Sequence, residues 1–209
     1  MTDVSARRAR TRDRICDAAV QVFALQGVRG ASVEEICDVA GFTRGAFYSN
    51  FESKDGLCAA VLERHVTAVV AAVDGVVDRL VPTTDLRLDA VIELGISTFL
   101  AAQPTDPNVI LTSEELRLYA AREPAFRDTF ARLERLANES IAARIEAALV
   151  QHGCELMIPG EEAVRLLHAV YEYGSIGTLI YPPSPPADVR STVLNQLLRS
   201  LIRPQPVVP

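Results

Sequence analysis

Apolar positions recur at intervals of three or four along almost the whole chain. In residues 10–25 they are Ile15, Ala18, Ala19, Val22 and Phe23, then come Val33, Ile36 and Ala40, then Phe47 and Phe51. Residues 54–80 carry two adjoining rows, Leu57, Val61, Val69, Val73, Leu80 and Leu62, Val66, Val70, Val77. A further stripe of Phe126, Phe130, Leu133, Ala137, Ile141, Ile145 and Leu149 runs through residues 124–151, with Arg127, Glu134, Arg135 and Glu139 outside it. Helical segments are also predicted over residues 86–102 after a cap at Asp85, 107–122 with Asp106 as cap and Pro107 at the first position, 161–180, and 188–202. Pro82 ends the fourth helix, residues 152–160 read as a loop, a stiff Tyr-Pro-Pro-Ser-Pro-Pro segment separates the last two helices, and the tail after Arg203 reads as frayed. Strand-like alternation and internal repeats are absent, so the pattern predicts an all-α fold of about nine helices.

The most informative stretch is residues 32–54. Ser32 is an N-cap type and Glu35, three positions on, completes a capping box, which marks a short helix. Gly41 suits a left-handed turn, and Thr43 caps a second short helix whose Phe47 and Phe51 point inward. Two short helices joined by a glycine turn make a helix-turn-helix. With residues 10–25 packed beneath, the N-terminal part is expected to be a three-helix DNA-binding domain. The front of its last helix enters a major groove, so Thr43, Arg44, Gly45, Ala46 and Tyr48 form the reading edge, the two small residues allowing close approach. Ser32, Val33, Ser49 and Asn50 complete the candidate DNA contacts. Lys54, at the start of the next helix beside free amides, is a candidate phosphate contact and is the only lysine beside twenty arginines.

Charge modifies this picture. The net charge of −6 at first sight disfavours nucleic acid. Residues 1–65, however, balance nine basic against nine acidic side chains, and residues 66–209 supply the whole deficit. Residues 1–9 read as a mobile basic arm, and Arg7, Arg8, Arg10, Arg12 and Arg14 stand against Asp3 and Asp13. Backbone affinity depends on the local face presented, so an acidic larger body is compatible with DNA binding and predicts salt sensitivity. No apolar run reaches a membrane span and no secretory signal is visible, which points to a cytoplasmic protein with no membrane partner. Cys16, Cys37, Cys58 and Cys154, with His65, His152 and His168, show no ligand spacing, so core filling by thiols is expected, with no metal and no cofactor.

The residues of the helix-turn-helix resemble the TetR family of transcriptional regulators. The resemblance rests on the apolar first helix with Ile15 and Phe23, the step between Gly27 and Ser32, the turn at Gly41, and the ending Tyr48, Phe51, Lys54, spanning about a quarter of the chain. Ser49 and Asn50 stand where larger or aromatic residues are common in that family. The resemblance implies a homodimer through the last two helices, which are apolar on more than one face (Val164, Leu167, Val170, Tyr171, Ile176; Val189, Val193, Leu197, Leu198, Leu201). It also implies an effector cavity among helices four to eight, for which Glu93, Phe99, Tyr119, Phe130, His168, Tyr171 and Glu172 are candidate liners. The expected organisation is a basic arm over 1–9, a DNA-binding domain over 10–56, an effector-binding and dimerisation domain over 57–203, and a Pro-rich tail over 204–209. The function this implies is a repressor released from a double-stranded DNA operator by a small apolar or aromatic molecule. A regulator without an effector stays open. An enzyme is disfavoured, because no catalytic residues are recognisable: there is no phosphate loop, no metal spacing and no nucleophile with its base.

Overall fold

Residues 2–26 contain neither glycine nor proline and are rich in alanine and arginine, both strong helix formers. In the computed structural model, which describes residues 2–80, 88–103, 105–181 and 189–205, they form a helix from the start. This is α1, Thr2–Gly30, whose backbone leaves helical geometry at Gly27 (φ 75°, ψ 162°). Of the basic arm expected over residues 1–9, residues 2–9 are therefore the first two turns of α1, continuous with the part expected to begin near residue 10. α2 (Val33–Ala40) follows, then α3 (Arg44–Tyr48), α4 (Lys54–Leu80), α5 (Leu88–Ala102), α6 (Pro107–Arg122), α7 (Pro124–Gln151), α8 (Gly160–Ile180) and α9 (Val189–Ser200). The predicted caps of α6 are present: Pro107 opens it and Asp106 Oδ1 accepts from the Asn108 amide at 2.9 Å. The expected cap at Asp85, the stop at Pro82 and the proline segment after Tyr181 lie outside the described residues, as does the tail from residue 206.

Among the described residues the fold is all-α but for one strand pair that the sequence pattern missed. β1 (Cys154–Leu156) sits in the segment expected to be a loop, and β2 (Ile202–Pro204) in the segment expected to be the end of the last helix and a frayed tail. They pair antiparallel, Cys154 with Pro204, Glu155 with Arg203 and Leu156 with Ile202. Met157 and Gln205 extend the pairing by donating to the Leu201 and Gly153 carbonyls at 2.7 and 2.8 Å. Three-residue strands are too short to show an alternating pattern, and only the long-range pairing creates them.

The chain divides into two compact units, Met1–Val66 with Pro104–Leu133, and Thr67–Gln103 with Glu134–Pro209. The first has one core in which Ile15, Ala19 and Phe23 of α1, Ile36 of α2, Phe47 of α3, Leu57 and Cys58 of α4, Leu116 of α6 and Phe126 of α7 are buried together. By length and composition alone Lys54–Gly75 would suit a membrane; Leu57, Cys58, Val61 and Leu62 within it are instead buried in this core. Burial pushes the Cys16 thiol up to about 11 and the Cys58 thiol up to about 12, as befits residues that fill space. α6 belongs to this unit by specific bonds as well as packing. Thr112 Oγ1 donates to the Val20 carbonyl at 2.9 Å, the Tyr119 hydroxyl to Asp55 Oδ1 at 2.7 Å, and Arg29 pairs with Glu123 at 3.1 Å.

In the second unit Ile92, Ile96 and Leu194 form the centre of a cluster joined by Leu167, Val170, Leu198 and Ile202. Arg144 of α7 reaches both oxygens of Asp74 on α4 and the Ser140 carbonyl.

Gly27 tests the first unit. A β-carbon there would lie 2.7 Å from Glu115 Oε2, at a φ that side chains avoid. Gly27→Ala is expected to lower stability by about 1 kcal/mol or more, read as a lower urea midpoint at constant slope. An unchanged midpoint contradicts the assignment.

Candidate nucleic-acid interface

Neither α2, with eight residues, nor α3, with five, can persist by its own hydrogen bonds. Local chemistry closes their front ends. Glu35 N donates to Ser32 Oγ at 3.2 Å, and Ser32 N and Oγ donate to Glu35 Oε2 at 2.9 and 2.8 Å, completing the capping box. The bonds from the Ser32 backbone and hydroxyl, then from Gln26, hold the Glu35 carboxyl below the usual carboxylate range. Gly41 turns the chain at φ 70°, where its amide donates to the Asp38 carbonyl. Thr43 Oγ1 then accepts from the Ala46 amide at 3.2 Å. Phe47 is fully buried, edge-on to Tyr48 and 5.6 Å from Phe51.

The back ends are closed from α1. Arg8 Nη2 donates to the Ser49 carbonyl at 3.1 Å, Arg12 Nη1 to the Asn50 carbonyl at 2.9 Å, and Arg14 Nη2 to the Ala40 carbonyl at 2.9 Å. The Arg12 and Arg14 guanidiniums also lie over the Phe51 and Phe42 rings, at 4.5 and 4.6 Å. Three of the five arginines expected to provide basic character are thus directed at carbonyls at or just past the ends of α2 and α3, where positive charge is favoured. The signal was present in the sequence: Arg8 and Arg12 continue the row that leads on to Ile15 and Ala19, one turn apart.

Lys54 is placed in the same way. Its Nζ donates to the Val28 and Ala31 carbonyls at 2.8 and 3.0 Å, closing the turn between α1 and α2. Two of the three ammonium protons thus clamp this turn, and the third is left for the expected phosphate contact. Ser49 and Asn50, also expected at the DNA, turn back on α3. Ser49 Oγ and Asn50 Nδ2 both donate to the Ala46 carbonyl at 2.8 Å. Thr43, Arg44, Gly45 and Tyr48 are exposed, while Ser32, Val33 and Ala46 are half-buried beside them. Arg44 Nη1 reaches Glu34 Oε1 at 2.6 Å and its guanidinium lies over the Tyr48 ring. Bonding to Tyr48, and then the Glu34 charge, raise the hold on the Arg44 proton.

The seven candidate effector liners divide between the two units. Tyr119 and Phe130 belong to the first unit, where Phe126 stacks with both, at 5.4 and 6.3 Å. The others are in the second. There Phe99 meets Tyr171 edge-on at 5.8 Å and His168 Nε2 lies 3.2 Å from Glu172 Oε1, while Glu93 is exposed. A cleft between α7 and the start of α8, lined by Glu139, Glu146, Gly160, Glu162 and Arg165 among others, includes none of the seven.

Residues 15–61 match a family model described as bacterial regulatory proteins, tetR family. The transcriptional regulator SrpR of Pseudomonas putida is 47% identical over 58 residues, 28% of this chain and 27% of that one. The transcriptional activator FasR of Mycolicibacterium smegmatis is 40% identical over 80 residues, 38% of this chain and 35% of that one. The matched stretches thus span well under half the length of these relatives. A crystal structure of a TetR-family transcriptional regulator from Rhodococcus sp. superposes over 92% of this chain and 98% of its own with a TM-score of 0.71 at 23% identity, which establishes a shared fold.

Lys54→Met keeps the aliphatic stem and removes the ammonium. It is expected to cost the first unit about 1–3 kcal/mol by leaving the Val28 and Ala31 carbonyls without their donor, read by urea denaturation. Unchanged stability with a selective loss of DNA affinity would leave only the phosphate role.

Proposed function

We propose that this chain, whose residues 15–61 match the tetR family model and whose fold is shared with TetR-family regulators, is a DNA-binding transcriptional regulator. In this reading it binds a double-stranded operator as a homodimer and is released by a small apolar or aromatic effector. The observation that carries the proposal is the outward face of α3: Thr43, Arg44, Gly45 and Tyr48 are exposed there, on a helix anchored from behind by the buried Phe47. A helix presented in this way reads a few base pairs, so useful specificity needs two copies on half-sites about one turn of DNA apart. Repression requires only that the occupied operator block access, which a bound dimer supplies without further contacts.

The second copy is supported by α8. Leu166, Ala169, Tyr173 and Ile180 are exposed along it at spacings of three, four and seven, a seam suited to a facing helix. Tyr173 is 75% exposed and Ile180 63%. Of the apolar residues counted on more than one face of this helix, Val164 and Tyr171 are buried within the second unit, so the proposed interface is the opposite face. Val193, 39% exposed, extends it on α9. For the effector, the aromatic pair Phe99 and Tyr171 with the neighbouring His168 and Glu172 offers an apolar wall and a polar handle of the kind small-molecule sites use. The effector acts only through a difference in affinity between the DNA-competent and released conformations.

Two outcomes check this. Selection from randomised duplexes is expected to enrich a two-fold symmetric site, and Arg44→Ala to relax preference at one position per half-site by about 1–3 kcal/mol. No enrichment, or an unaltered preference, contradicts the reading. Tyr173→Asp combined with Ile180→Asp is expected to give monomers by light scattering, and dimers of unchanged mass would place the interface elsewhere.

A further inference from the structure

Glu34 sits in the first turn of α2, and Arg44 is the first residue of α3. Glu34 Oε1 accepts from Arg44 Nη1 at 2.6 Å, with both side chains more than half exposed. The guanidinium is held from a second side by Tyr48, whose ring centroid is 6.0 Å away. Folding accounts for this carboxylate only in part, through its place at the positive end of α2. The capping box of α2 uses Ser32 and Glu35, and an exposed ion pair contributes little to stability. A negative charge on a face that approaches a polyanion also weakens generic binding. What the pair does achieve is to hold a long, rotamer-rich arginine in one pose beside the reading edge.

We propose that Glu34 is a positioning residue for base recognition: it fixes the Arg44 guanidinium, leaving its remaining N–H groups for the edge of a guanine, and its charge penalises binding in registers where that guanine is missing. This rests on the reading of α3 as the helix that meets the bases. An arginine already held loses less freedom when it makes a bidentate contact. A carboxylate that is compensated only when Arg44 is correctly engaged adds a repulsive element against other sequences. Glu34 therefore lowers affinity for random DNA and raises the ratio between the right and the wrong site.

The test is a double-mutant cycle. Wild type, Glu34→Gln, Arg44→Ala and the double variant are titrated, at one salt concentration, against the duplex enriched by wild type and against the same duplex with the Arg44-dependent guanine replaced. Glu34→Gln is expected to reduce discrimination about tenfold, the lower part of what a bidentate arginine contact supplies, and to tighten binding to random duplex. In the Arg44→Ala background it is expected to change discrimination not at all. Discrimination retained by Glu34→Gln overturns the proposal, as does an equal loss with and without Arg44, which is what a mere contribution to α2 stability gives. A wild type that enriches no sequence, or an Arg44→Ala variant that discriminates normally, fails at the earlier step and takes the reading of α3 down with this inference.

Discussion

The open carbonyl ends of short helices are the constraint on which the N-terminal unit depends. A five-residue helix has no cooperative stability of its own; the Gly45, Ala46 and Phe47 carbonyls of α3 accept from Ser49, Asn50 and Phe51, but the carbonyls just past it, like the last one of α2, need donors from outside. Here the donors are cations brought from other segments. Arg8 and Arg12 reach the carbonyls of Ser49 and Asn50, Arg14 that of Ala40, and Lys54 those of Val28 and Ala31. A hydrogen bond with a charged partner is worth about 1.5–3 kcal/mol when shielded, less at the surface, so together they rival the burial of Phe47, which anchors α3 from the inside. The residues that make the start of the chain look like a DNA-binding arm are in large part the scaffold of the reading helix.

This changes where recognition is sought. With Lys54, Ser49 and Asn50 committed to the backbone, Arg44 is the cation on α3 itself, and it is held by Glu34 and Tyr48. Exposed Arg7 and Arg10 lie on α1. A face with few committed phosphate contacts gains its selectivity from base edges and loses affinity only gently in salt. The same unit also includes α6, tied to α1 by Thr112 and Val20 and to the first turn of α4 by Tyr119 and Asp55. The first turn of α4 carries both Lys54, which clamps the turn before α2, and Asp55, which receives Tyr119. One turn of helix therefore connects α6 to the base of the helix-turn-helix within a single core.

What was legible in the sequence is what neighbours in the chain decide. The capping box of Ser32 and Glu35, the left-handed Gly41, the Thr43 cap, the Asp106 and Pro107 start of α6 and the inward pair Phe47 and Phe51 all involve residues within four of one another, and each stands as read. The early start of α1 was missed because arginine was weighed as charge and not as a helix former. The targets of Arg8, Arg12 and Lys54 lie 23 to 41 residues away, beyond any local pattern, and a cation at a helix start reads equally well as a phosphate ligand. The strand pair was invisible for the same reason, Glu155 and Arg203 being 48 apart. Of the candidate effector liners, Tyr171 of α8 meets Phe99, whereas Tyr119 and Phe130 pack against the first core, where an aromatic pattern alone cannot separate packing from binding.

The central claim is that the guanidiniums of α1 hold the reading helix in place, and amide hydrogen exchange measures it directly. In a variant carrying Arg8→Met and Arg12→Met, the account predicts that the amides of Phe47, Ser49 and Phe51 lose protection while those of Val22 and Phe23 in α1 keep theirs. Equal protection of Phe47, Ser49 and Phe51 in the variant and the wild type would contradict it.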